Sequence, residues 1–264
     1  MQTLNVSLVQ GATRWHDPSG NREYYGALIG PLRGSTDLVV LPETFTSGFS
    51  NEAIAQAEAM DGPTLRWLRE QAKHLDAAIT GSVQLRVGDG VYNRLLFVTP
   101  DGDARHYDKR HLFRYADEHK RYASGRERLL VQWRGWKICP LVCYDLRFPV
   151  FSRNRHDAGQ GFDYDLLVYV ANWPSPRAYA WSTLLRARAI ENLCYVAGVN
   201  RVGRDGNGHD YAGASAVLDF LGQPLSQDSD QELVSTTTLS MAELAAHRER
   251  FPAWMDADAF TLGA

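Results

Sequence analysis

Cys143 lies in the run Lys137-Ile138-Cys139-Pro140-Leu141-Val142-Cys143-Tyr144-Asp145-Leu146-Arg147-Phe148-Pro149, where an apolar stretch stops and a polar, turn-like segment begins. A thiol at a strand end faces a cleft rather than a sealed core, and open α/β folds keep reactive groups at such ends. Two other segments finish on chemistry. Leu38-Val39-Val40-Leu41 leads through Pro42 to Glu43, and the strand-like Ala104-Arg105-His106-Tyr107 leads to Lys109. A thiol, an acid and a cation, each at the end of such a segment, fit one reaction, acyl transfer through a thioester.

Each residue also has a bland reading. Free cysteine is among the most buried types and behaves as a small hydrophobe. Cys194, inside Leu193-Cys194-Tyr195-Val196, and Cys139, in mid-strand, fit that description; Cys143 does not, because Tyr144, Asp145 and Arg147 follow at once. Zinc is a poor alternative, since Cys139 and Cys143 have no second Cys or His pair at ligand spacing. A cysteine hydrolase usually pairs its thiol with histidine, but His111 and His119 lie on a charged segment. Glu43 is the alternative base, and an acid that close to a core strand is costly unless paired or working. Lys109 reads as a solvated lysine or as a cation that stabilises an oxyanion and lowers a thiol pKa. Glu118, in Tyr115-Ala116-Asp117-Glu118-His119-Lys120, reads by itself as part of a solvated charge run.

The elements that must position these groups mix strands and helices. Leu4, Val6 and Leu8 alternate as in a strand. Asn21 to Leu32 reads as a helix, Leu38 to Leu41 as a strand buried on both faces, and Gly62-Pro63 opens a helix to about Leu75. Ala77 to Val87 and Val91 to Thr99 form a hairpin about Gly88-Asp89-Gly90; Leu129 to Trp133 and Trp136 to Val142 form another about Arg134-Gly135. Asp165 to Ala171 is a buried strand, Ala178 to Asn192 a helix, and Cys194 to Val199 and Ala214 to Leu218 are strands. Ser240-Met241-Ala242-Glu243 is a capping box opening a last helix to about Arg250. Hairpins beside βαβ spacing predict an α/β or α+β fold with a mixed sheet. No linker or repeat divides the chain, so residues 1–264 are expected to form a single domain.

Composition is ordinary for a globular protein. The 264 residues are 44% hydrophobic and 22% charged, with a net charge of −3. No basic stripe marks a nucleic-acid surface. Three cysteines do not make a disulfide framework and suggest a reducing compartment. The N-terminal segment enters a strand pattern without the charged and apolar regions of a secretory signal, and no apolar run approaches a membrane span. A cytoplasmic protein that binds neither nucleic acid nor membrane is the expectation.

Taken in order, Leu41-Pro42-Glu43, Lys109 with His111-Leu112-Phe113, and Cys143-Tyr144-Asp145-Leu146-Arg147-Phe148-Pro149 resemble the nitrilase, or carbon–nitrogen hydrolase, superfamily. Tyr107 to Arg114, Val170-Ala171-Asn172-Trp173-Pro174, Arg186 to Asn192, and Phe251-Pro252-Ala253-Trp254 look most like its omega-amidases, which hydrolyse 2-oxoglutaramate and related monoamides of dicarboxylic acids. Glu118 stands seven positions before Gly125, as the second glutamate of that family does. The resemblance implies a four-layer α-β-β-α sandwich with two mixed sheets face to face, and a homodimer. It implies Glu43 as general base, Cys143 as nucleophile, Lys109 and the backbone N–H of Tyr144 as oxyanion donors, and Glu118 as a partner of Lys109 or the substrate. No metal or organic cofactor is required by that set. Arg147 and Arg177 are candidates for the substrate carboxylate or for structural salt bridges, and Asn172, Trp173, Phe45 and Phe113 for the pocket wall, Phe45 and Phe113 reading equally as core aromatics. Arg188 and Glu191, at i and i+3, suit a supporting ion pair. Aliphatic amidases, carbamoylases and nitrilases would need the same three residues, and a silent binding module of this fold would be expected to have lost one.

Overall fold

The structure, a computed structural model, describes residues 2–262. Its first sheet uses β1 (Thr3–Gln10), β2 (Leu38–Val40), β3 (Ala78–Val87), β4 (Gly90–Val98) and β5 (Ala104–Asp108). The second uses β6 (Val131–Trp133), β7 (Trp136–Val142), β8 (Leu166–Ala171), β9 (Tyr195–Asn200) and β10 (Ala216–Leu218). β11 (Leu233–Ser240) then returns to the first sheet, whose order is β11-β1-β2-β3-β4-β5; the second runs β10-β9-β8-β7-β6. Both are mixed. β1, β2 and β3 are parallel with antiparallel neighbours outside them, and so are β7, β8 and β9.

Strand alternation assigns the layers. Leu4, Val6, Leu8, Leu38, Val40, Leu95 and Phe97 belong to a core shared with Leu141, Val168 and Val199 of the second sheet, so the two sheets face each other. The intervening side chains, Val9, Val39, Ile79, Leu96 and Val98, pack outward against Tyr25 and Ile29 of α1 (Pro18–Ile29) and Leu65, Leu68, Ala72 and Leu75 of α2 (Pro63–Leu75). On the far side, Trp181, Leu185 and Ala189 of α3 (Ala178–Asn192) cover the second sheet. Gly198 permits that approach, because a Cβ there would stand 2.7 Å from Leu185 Cδ1. The last helix, α4 (Met241–Arg250), starts where Ser240 accepts a hydrogen bond from the Glu243 amide. The four-layer α-β-β-α arrangement is therefore the one the family resemblance implies, and both sheets are mixed as the strand pattern predicts.

Differences lie at the edges. Helix α1 begins at Pro18 because Asp17 caps the Gly20 amide at 2.9 Å, and Gly30–Leu32 is a 3-10 turn. Strand β6 starts two residues later than its apolar pattern. Strand β11 is not predicted at all; its Ser/Thr-rich sequence lacks alternation, and it forms because β1 offers it eight paired positions.

Helix α3 also braces the turn that follows β7. Arg188, almost fully buried, donates to the Leu146 carbonyl at 2.5 Å and to Glu191 Oε1 at 2.9 Å. Arg188→Met removes both bonds and leaves the Leu146 carbonyl unpaired. A loss of about 2 kcal/mol is expected, read as a lower urea midpoint at unchanged m-value. A variant as stable as the parent would show that this brace carries no load.

Candidate active site

The parallel strands of both sheets end on one cavity of about 500 Å³. Its wall includes Glu43, Lys109, Phe113, Cys143, Tyr144, Arg147, Asn172, Trp173 and Arg177. Glu43 follows β2 and Lys109 follows β5 in the first sheet, while Cys143 follows β7 and Asn172 follows β8 in the second. The cavity is thus the seam between the sheets, and neither sheet alone supplies its chemistry.

Glu43 and Glu118 are 0% exposed and Lys109 is 1% exposed. Lys109 Nζ donates to Glu43 Oε1 at 2.9 Å and to Glu118 Oε1 and Oε2 at 3.1 and 2.9 Å. Burial opposes its charge, but Glu118, then Glu43, hold the ammonium well above the ordinary lysine pKa. Burial likewise pushes the Glu118 carboxyl up, against the pull of Lys109. The charge run around Glu118 conceals its burial. Asp117 takes a left-handed φ of 56°, and the turn that follows directs Glu118 inward, where it also accepts the Phe113 amide at 2.5 Å.

The other Glu43 oxygen accepts the Asn172 amide at 2.8 Å, and Asn172 Nδ2 returns a bond to the Glu43 carbonyl at 2.6 Å. The same Nδ2 reaches Thr44 Oγ1 at 3.1 Å. Thr44 has φ 43°, unusual for a β-branched residue, so these bonds fix the turn that aims Glu43.

Cys143 has φ 44° and opens a 3-10 turn, Cys143–Arg147. Burial, then the Glu43 carboxylate beside it, raises the thiol well above the ordinary cysteine value, only partly opposed by Lys109. The sulfur therefore keeps its proton beside the Glu43 carboxylate and lies 3.9 Å from the Asn172 carbonyl, to which the thiol donates. The first amides of a helical turn lack intrahelical partners, so the Tyr144 N–H is available near the sulfur. Cys139 and Cys194 are fully buried, and burial pushes the Cys139 thiol up to about 12.

Asp145 fixes this turn, and the sequence reading passes over it. Its carboxylate accepts the Val142 amide at 3.0 Å, the Tyr107 hydroxyl at 2.8 Å and the His111 amide at 3.1 Å. The His111 ring lies 2.7 Å from it and stacks on Phe148. His111 thus serves the nucleophile's turn from behind.

Arg147 lies 4.9 Å above the Trp173 ring, and Arg177 stacks over Phe113 and Tyr115. Neither guanidinium has an ion-pair partner among the described residues. Arg188 and Glu191 do form the expected pair. Phe45 requires a correction. It is a core residue, fully buried and packed edge-on against Tyr25 and beside Trp67, because the left-handed Thr44 turns the chain back so that the Phe45 amide meets Ser82 O at 3.1 Å. Two further groups go unpredicted. Asn93 sits between Glu43 and Glu118. A hairpin, Val202–Arg204 with Asp210–Ala212, brings Asp205, Asn207, His209 and Tyr211 to the wall, and its signal is the Gly-rich turn Gly203 to Gly208.

Comparison with known proteins agrees with this geometry. The chain is 49% identical to the omega-amidase YafV of Escherichia coli (strain K12) over 263 residues, 99% of this chain and 100% of the relative. It is 32% identical to the 2-oxoglutaramate amidase of Bacillus subtilis (strain 168), covering 95% and 96% of the two chains. It superposes with a TM-score of 0.98, at 68% identity and over 100% of both chains, on XC1258 from Xanthomonas campestris, a CN-hydrolase superfamily protein whose crystal structure carries an arsenic adduct in the active site. Residues 5–249 match the carbon-nitrogen hydrolase family. With a family match across most of its length and relatives of this identity, the chain belongs to the carbon-nitrogen hydrolase family.

Proposed function

We propose that the chain is an omega-amidase: it releases ammonia from the terminal amide of a small dicarboxylic acid monoamide, such as 2-oxoglutaramate or succinamate. The observation that carries the reading is the joint burial of Glu43, Lys109 and Glu118 beside the Cys143 thiol, with two unpaired arginines further out in the same cavity. The likeness to the omega-amidase and the 2-oxoglutaramate amidase supports it.

In this reading Glu43 accepts the Cys143 proton as sulfur attacks the amide carbon. The charge developing on oxygen is held by Lys109 Nζ and the Tyr144 N–H. Lys109 can provide that bond because one of its contacts to Glu118 is the second arm of a fork, and the carboxylate remains held by the other. Glu43 then returns the proton to nitrogen, the C–N bond breaks, and ammonia leaves a thioester. Glu43 next takes a proton from water, whose oxygen attacks the thioester carbon; the acid departs and the thiol is restored. Net charge in the site stays constant at the first transfer, since the proton moves only from sulfur to carboxylate.

Arg147 and Arg177 bind the substrate's distal carboxylate, with Phe113, Asn172 and Trp173 as the wall beside it. One folded domain spans the chain. A reducing, cytoplasmic setting suits its three free cysteines, and no helix among the described residues is long and apolar enough to cross a membrane. A homodimer is part of the same reading, supported by exposed Tyr179 and Ile190 on α3.

Two measurements test it. Ammonia release should be far faster from 2-oxoglutaramate and succinamate than from a simple aliphatic amide or a nitrile, and Cys143→Ala should lose at least about ten-thousand-fold in kcat. Turnover of the nitrile alone, or an active alanine variant, refutes the proposal. Arg147→Gln and Arg177→Gln should each raise KM for succinamate by about tenfold while leaving the uncharged amide unaffected. Equal effects on both substrates would remove the arginines from carboxylate recognition.

A further inference from the structure

Position 93 is anomalous for its place in the fold. On β4, alternate residues Leu95 and Phe97 face the apolar space between the sheets, and Asn93 shares their face. It is 1% exposed. Its amide nitrogen lies 2.8 Å from Glu43 Oε1 and 3.3 Å from Glu118 Oε1. Both neighbours are acceptors, so the nitrogen rather than the oxygen must face them. Its side-chain oxygen has no hydrogen-bond partner among the described residues. A buried unpaired acceptor is unfavourable, and the fold retains it together with the donor pair. Asn93 is rigidly held as well, because β4 is paired on both sides and the Asn93 carbonyl accepts the Lys109 amide at 3.0 Å.

We infer that Asn93 is a positioning residue for the general base. It holds Glu43 Oε1 through the whole reaction, including the steps in which Lys109 turns toward the substrate oxyanion. Lys109 has no fourth proton for the oxyanion: its three contacts all go to carboxylates, and the turn that frees one arm of its Glu118 fork also reorients its bond to Glu43. The carboxamide adds a fixed donor that does not titrate, so the carboxylate keeps its orientation while the ammonium's attention shifts. The inference rests on Glu43 being the base for Cys143.

The test uses Asn93→Asp and Asn93→Ala, read by succinamate turnover and by the pH profile of Cys143 alkylation with iodoacetamide. The titratable groups facing position 93 are Glu43, Glu118 and Lys109, with Tyr122 and Cys143 beyond them. An aspartic acid there is isosteric. Burial and the two carboxylates favour its protonated form, which donates one hydrogen bond; as pH rises it ionises and repels Glu43. The expected result is a fall in kcat of about a hundred-fold near neutral pH, with KM within about threefold. The Asn93→Asp variant should recover toward acid pH relative to the parent, in both turnover and alkylation, and Asn93→Ala should show the loss without the recovery. A kcat within threefold of the parent, an unchanged pH profile for Asn93→Asp, or collapse of the fold in both variants overturns the inference. Glu43→Gln separates the underlying reading: if it alkylates with the parent's pH profile, Glu43 is not the base, whatever Asn93 does.

Discussion

An ammonium ion taken out of water is held charged only where carboxylates and hydrogen bonds replace its hydration, and Lys109 sits in such a place. Two glutamates take all of its protons, and the second sheet closes over the group. The carboxylates in turn depend on the lysine, since each is buried without solvent contact. This mutual dependence sets the rest of the site. Glu43 comes from the end of β2, Glu118 from a turn bent inward at Asp117, and the Cys143 thiol stands beside the Glu43 carboxylate.

The geometry is enforced by backbone as much as by charge. Thr44 and Cys143 both adopt left-handed conformations, which L-residues with a branched or substituted Cβ enter at some cost. Each is compensated by side-chain bonds: Asn172 and Ser82 hold the Thr44 turn, and Asp145, itself within the turn that Cys143 opens, holds it through the Val142 amide. The Glu43 carboxylate and the Cys143 thiol are therefore aimed by turns that neighbouring side chains hold in place.

The sequence displays the chemistry better than the supports. Glu43 and Cys143 are legible because each follows an apolar run, and Lys109 through the family resemblance; most strands follow from patterning, whereas the pairing of two sheets in a sandwich comes from that resemblance. Phe45 misleads because adjacency to Glu43 suggests the cavity, whereas the left-handed residue between them reverses the chain into the core. Glu118 is hidden by its charged neighbours. Asn93 leaves a trace that alternation could have revealed, a polar side chain in register with Leu95 and Phe97. The hydrogen bonds of Asp145 leave none, because they join segments that only tertiary structure brings together. Strand β11 is invisible for the same reason, since its stability lies in a partner and not in its own pattern.

That last strand has a consequence for how the chain is made. β1 is synthesised long before β11, yet one of its two edges is paired only by residues 233–240. Until those residues have been made, the first sheet presents an open edge beside an apolar face, the state in which sheets recruit foreign strands. Protection of this edge and completion of the sheet are the same event, and both wait for the last strand of the sheet to emerge.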